Sequence, residues 1–115
     1  MTVPTTNRRR VRRRPPKNMV KLRCQKGTMG LAPNVARTLL DVSTDGARLV
    51  ITVPLESRQD VTLSLELPWQ ARPLLVPSRV RWCMQLADGN YCVGVHFDKT
   101  IPDPQVHEFA AHSGL

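Results

Sequence analysis

Six arginines crowd one seven-residue window, Arg8-Arg9-Arg10-Val11-Arg12-Arg13-Arg14, and only Val11 interrupts them. Guanidinium groups at that density repel one another unless an anion is bound. The anion that best matches their planar, bidentate forks is a phosphate. Further along, Asp41-Val42-Ser43-Thr44-Asp45-Gly46 fits D-x-S-x-x-G, which brings a carboxylate, a hydroxyl and a glycine into one short stretch. Every acidic residue lies at or after Asp41, so the first forty residues carry about +11 and the rest about −3. The formal net charge of +8 therefore describes an arm and not the whole surface. A phosphate-bearing partner is expected. Catalysis is not, because no nucleophile-elbow glycines surround Ser43 and the histidines, His96, His107 and His112, do not complete a hydrolytic set.

These residues need elements to hold them. Residues 1 to 18 contain three prolines and the arginine run without apolar periodicity, and are expected to form a mobile arm ending at Pro15-Pro16. From Met19 the pattern changes: Val20, Leu22 and Cys24 alternate with Lys21, Arg23 and Gln25, as in a half-buried strand. A second strand is predicted over residues 37 to 42. Asp45-Gly46 marks a turn into a third over 47 to 54. Val61, Leu63, Leu65 and Leu67 alternate strictly with polar residues and give a fourth, which Pro68 ends. Residues 75 to 86 and 91 to 97 flank Ala87-Asp88-Gly89-Asn90, a second hairpin signal, with Val93, Val95 and Phe97 on one face of the last strand. Asp103 is the expected N-cap of a short helix, with Pro104 at its first position and Val106, Phe109 and Ala110 along one stripe.

Composition agrees with an all-β body. Of 115 residues, ten are proline, one is tyrosine and two are phenylalanine, which leaves the core to Val, Leu and Ile. Cys24, Cys83 and Cys92 are an odd number with no C-x-x-C pair, so neither a disulfide framework nor a four-cysteine zinc site is expected, and no metal is assigned. No segment approaches the roughly twenty apolar residues of a membrane span, and the N-terminus lacks a secretion signal, so the expectation is a cytoplasmic protein without a membrane partner.

The D-x-S-x-x-G turn follows a segment containing R-x-x-x-R. Arg81-Trp82, the Ala87–Asn90 hairpin, the run Tyr91-Cys92-Val93-Gly94-Val95-His96-Phe97 and the proline-bearing helix entry come after it in that order. Together they resemble the PilZ domain family over roughly residues 8 to 110. The resemblance implies a six-stranded antiparallel β-barrel with a short C-terminal helix, an arm over 1–18 and a barrel over 19–115. It also implies a ligand, the bacterial second messenger cyclic di-GMP, with no other cofactor and no catalysis. The arginine run satisfies R-x-x-x-R in three registers: Arg8 with Arg12, Arg9 with Arg13, and Arg10 with Arg14. By resemblance the last is assigned to the ligand. Arg9 then precedes the motif, as in members that take up a stacked pair of ligand molecules, and a two-molecule ligand is included in the expectation.

The chemistry suits that ligand, whose phosphodiesters and guanine O6 and N7 edges all accept a bidentate guanidinium. Asp41 would accept from guanine N1 and N2 hydrogens, Ser43 would donate to a phosphate or base acceptor, and Gly46 would let the turn adopt φ > 0 and approach the ligand. Arg13, Gly94 and His96 are further candidates for ligand contact. Trp82 is expected to pack on the barrel in preference to stacking on a guanine. The function implied is a receptor or adaptor whose arm closes over cyclic di-GMP and creates a surface for an effector protein. The alternative is a basic-armed β-barrel that binds RNA or DNA backbone, against which the small number of aromatic residues weighs. A third class, an adaptor that has lost ligand binding, is disfavoured by the intact Arg, Asp, Ser and Gly set.

Overall fold

Alternation of Val, Leu and Ile with polar residues sets the architecture. The computed structural model describes residues 15–110 apart from Asn18. In chain order it contains β1 (Lys21–Lys26), β2 (Ala36–Val42), β3 (Gly46–Ile51), β4 (Asp60–Glu66), β5 (Leu74–Gln85), β6 (Tyr91–Phe97) and α1 (Asp103–Phe109). Every pairing between these strands is antiparallel, and the order across the sheet is β1-β4-β5-β6-β3-β2. The two outer strands curl toward each other. Val35 N–H donates to the Cys24 carbonyl at 2.9 Å, and the Asn34 side-chain oxygen accepts from the N–H groups of Cys24 and Ala36 at 2.8 and 3.0 Å. The sheet is thus a nearly closed six-stranded barrel, which leaves little open edge to recruit another chain.

The inward positions are those the alternation marks. Leu49 and Ile51 on β3, Val61, Leu63 and Leu65 on β4, Val80 on β5, and Val93, Val95 and Phe97 on β6 form one buried cluster, joined by Val106, Phe109 and Ala110 from the helix end. One feature goes beyond the alternation, and one local expectation is corrected. The polar residues Thr62 and Ser64 of β4 are buried as well, so this strand is covered on both faces; Thr62 Oγ1 donates to the Gly27 carbonyl at 3.0 Å. The N-cap of α1 is Pro102, in extended geometry and without a side-chain cap, while Asp103 is the first helical residue. Its acidic side chain there faces the positive end of the helix dipole in either register.

Cys24, Cys83 and Cys92 are free thiols. Burial pushes the Cys24 thiol up to about 11 from its ordinary 9.0. Because the folded-state value is the raised one, this contribution to stability is complete below pH 9 and is lost as pH rises toward 11, where the unfolded chain binds fewer protons than the folded one. Urea unfolding at stepped pH is expected to show a fall on the order of 2 kcal/mol across that window. Cys24→Ala should lack this contribution, so the difference between parent and variant carries the fall; an identical slope in the two proteins would sink the assignment.

Candidate functional site

The D-x-S-x-x-G stretch spans the β2–β3 hairpin: Asp41 lies near the end of β2, and β3 opens at Gly46. The turn is centred one residue earlier than the Asp45-Gly46 dipeptide suggests. Val42 faces Ala47 and Asp41 faces Arg48, which leaves Thr44 and Asp45 as the central pair. Ser43 accounts for the shift. Its N–H donates to the Gly46 carbonyl at 2.9 Å; its Oγ stands 2.9 Å from Asp45 Oδ1 and 3.2 Å from the Gly46 carbonyl oxygen, and it accepts from Asp45 N–H at 3.4 Å. Ser43 is wholly buried, so what its hydroxyl holds is the turn itself.

Gly46 does not adopt the positive φ expected of it. A glycine is required there for a different reason: a Cβ would stand 2.5 Å from the Val95 carbonyl oxygen on the neighbouring strand. Two further bonds tie the turn to the barrel, from Phe97 N–H to the Asp45 carbonyl and from Ile101 N–H to the Thr44 carbonyl, both 2.8 Å. The motif is therefore mounted on a fixed platform, as a recognition surface needs to be.

Asp41 is buried, and its carboxylate accepts from Arg48 Nε at 2.7 Å, with Nη2 against the same oxygen. The Arg48 side chain is about half exposed, and the hydrogen bond to Asp41, then its charge, raises the guanidinium above its ordinary value. A carboxylate that is itself shielded thus aims a fork outward. Arg48 is absent from the residues singled out above; the signal that finds it is the hairpin register, because Val42 opposite Ala47 puts Asp41 opposite Arg48.

Across the outer face the row continues. Arg48 pairs with Gly94 on β6, and Gly94 pairs with Trp82 on β5. The Trp82 indole lies over Gly94, where any Cβ would fall on its ring atoms, so Trp82 packs on the barrel while remaining 40% exposed. One step along, exposed His96 pairs with Gly46 on one side and Arg79 on the other. The fold therefore gathers Asp41, Gly46, Gly94 and His96 on one surface with Arg48 and Trp82, and keeps Ser43 beneath it.

Arg9, Arg10, Arg13 and Arg14 lie outside the described residues. The chain that follows them is anchored: Pro16 forms an antiparallel bridge with Ala110, Lys17 N–H donates to the Phe109 carbonyl at 2.8 Å, and Lys17 Nζ sits 5.7 Å from the Trp69 ring centre. Pro16 and Lys17 also border a hollow of about 280 Å³ shared with Arg37, Thr38 and Leu39 of β2, the strand that carries Asp41. Among the described residues no group of His, Cys, Asp and Glu could hold a metal ion, and no helix is long and apolar enough to cross a membrane.

Comparison with known proteins adds one match. The family model of the PilZ domain matches residues 7–113, nearly the whole chain. No curated protein matches the sequence.

Proposed function

Because the chain belongs to the PilZ domain family, known for binding cyclic di-GMP, we propose that it is a receptor for that dinucleotide, acting in the cytoplasm, and that its arginine arm closes over the ligand. The observation that carries this reading is a juxtaposition. The root of the arm borders the same hollow as β2, and β2 ends in the Asp41 platform. From Pro16, Arg14 is two residues away and Arg10 six, which at about 3.4 Å per extended residue puts them within roughly 7 and 20 Å of that hollow. Arg10 and Arg14 take the phosphates and guanine edges, and Arg9 takes a second, stacked molecule. Asp41 and Gly46 present the guanine-reading side, and Ser43 supports them through the turn it ties. Arg13, Gly94 and His96 border the bound ligand. The covered surface, new in shape and charge, is what an effector protein reads.

The discriminating test concerns Asp41, because a generic polyanion binder has nothing to gain from a carboxylate. Asp41→Ala is expected to weaken cyclic di-GMP binding by about tenfold or more, while affinity for an unrelated oligonucleotide stays level or rises. The melting temperature should move by only a few degrees, since the guanidinium left behind when the buried Asp41 carboxylate is removed is about half exposed and can be taken up by water. A stable Asp41→Ala protein that binds the dinucleotide at full strength would return the weight to the nucleic-acid reading.

Closure of the arm has its own readout. Amide exchange in residues 1–14 is expected to slow on addition of cyclic di-GMP and to remain unchanged on addition of GMP at equal concentration. Equal protection with and without ligand would remove the switch from the mechanism.

A further inference from the structure

Ser57, Arg58, Arg79, Val80, Arg81 and His96 line an open cleft of about 560 Å³ on the outside of the barrel. Its walls carry three guanidinium groups, an imidazole and a hydroxyl, and no carboxylate. Two backbone irregularities build it. Arg58 has φ 72°, the only positive φ of a non-glycine residue among the described ones. That geometry is unfavourable for any side chain with a Cβ and persists only when the surroundings impose it. Here the clamp is visible: Arg58 N–H donates to the Val80 carbonyl at 2.7 Å, and Val80 N–H donates to the Gln59 carbonyl at 2.9 Å. On the facing strand the register shifts between Val80 and Trp82, so Arg81 is an extra residue and both it and Trp82 face solvent. Ser57 Oγ donates to the Arg81 carbonyl at 3.3 Å and ties the loop to this bulge.

The charges are not cancelled locally. Arg79 pairs with Asp60 at 3.3 Å, with both side chains about half exposed or more. Arg58 and Arg81 have no ion-pair partner among the described residues. Like charges held together in a concavity by a strained loop and a bulge raise the local potential and favour a polyvalent anion over a single carboxylate, which has only two oxygens for three forks. We infer that this cleft is a phosphate-binding site. It communicates with the motif turn: His96 faces Arg79 on one side and Gly46 on the other, so the row Arg79, His96, Gly46 crosses three adjacent strands, roughly 10 Å, from the cleft to the D-x-S-x-x-G hairpin. The phosphate is carried either by a nucleotide lying along that row or by a separate small phosphate. The inference does not depend on what Asp41 recognises.

The test uses the full chain and reads the cleft's own signals, because the N-terminal arginines also attract anions. Inorganic pyrophosphate is titrated while the Nε–Hε resonances of Arg58, Arg79 and Arg81 are followed by NMR. Saturable shifts of these three are expected. Arg58→Gly with Arg81→Ala should weaken binding, followed at Arg79, at least tenfold; glycine suits the positive φ, so this variant should fold at least as well as the parent. Arg23→Ala, on β1 away from the cleft, should change nothing. Unsaturable drift, full-strength binding in the double variant, or an equal loss in Arg23→Ala would overturn the site. Cyclic di-GMP provides the second arm. A fivefold or greater loss of its affinity in the double variant assigns the phosphate to the dinucleotide, and loss of pyrophosphate binding alone assigns it to a separate phosphate.

Discussion

Replacing Arg10 and Arg14 together with alanine is expected to weaken cyclic di-GMP binding by about 4 kcal/mol, close to a thousandfold. In the proposed complex each guanidinium would make a charge-assisted, bidentate contact whose loss costs about 2 kcal/mol, near thirtyfold for either single variant. The comparison that gives the number meaning is Arg8→Ala, outside the assigned register, which should cost less than threefold. Calorimetric titration supplies both affinity and stoichiometry, and Arg9→Ala should lower the number of bound molecules from two to one while leaving the first site intact. Equal losses at each of the six arginines would describe a diffuse tail, in which affinity follows total charge and salt concentration and not position. The nucleic-acid reading would then lead.

The arginine register was the least legible part of the site, because a run with a single gap offers three phasings of R-x-x-x-R and sequence periodicity cannot choose among them. The barrel was legible for the opposite reason. Its inward residues, from Leu49 and Ile51 through Val93, Val95 and Phe97, recur at alternate positions, and a one-residue slip would turn every one of them to solvent. What escaped were features set by the register of strand pairing and not by alternation along one strand. The Asp41 partner Arg48 depends on a hairpin register that Ser43 shifts by one residue. The cleft draws on residues 57–58, 79–81 and 96, which meet only after β4, β5 and β6 are in register. Burial of Thr62 and Ser64 likewise follows from what covers β4 and not from β4 itself.

Gly46 is where fold and site are hardest to separate, and its substitution by alanine carries the second large expectation. The new Cβ would stand 2.5 Å from the Val95 carbonyl oxygen, an atom of the backbone that no rotamer change can move aside. Relief requires β3 and β6 to part at their first pair, Gly46 with His96. The turn cannot follow freely, because Asp45 and Thr44 are bonded through their carbonyls to Phe97 and Ile101, and Ser43 to Gly46. Gly46→Ala is therefore expected to lower unfolding free energy by about 3 kcal/mol, at the upper end of the range for overpacked sites, and to weaken cyclic di-GMP binding even at temperatures where the variant is fully folded. Gly94→Ala provides the contrast. Its Cβ would meet the Trp82 ring, which is 40% exposed and has solvent to swing into, so a smaller loss near 1 kcal/mol is expected. Urea unfolding of the two variants side by side decides the matter. If Gly46→Ala is as stable as the parent, the hairpin is not held against β6 as described, and the platform under Asp41 is not the fixed element the proposed recognition requires.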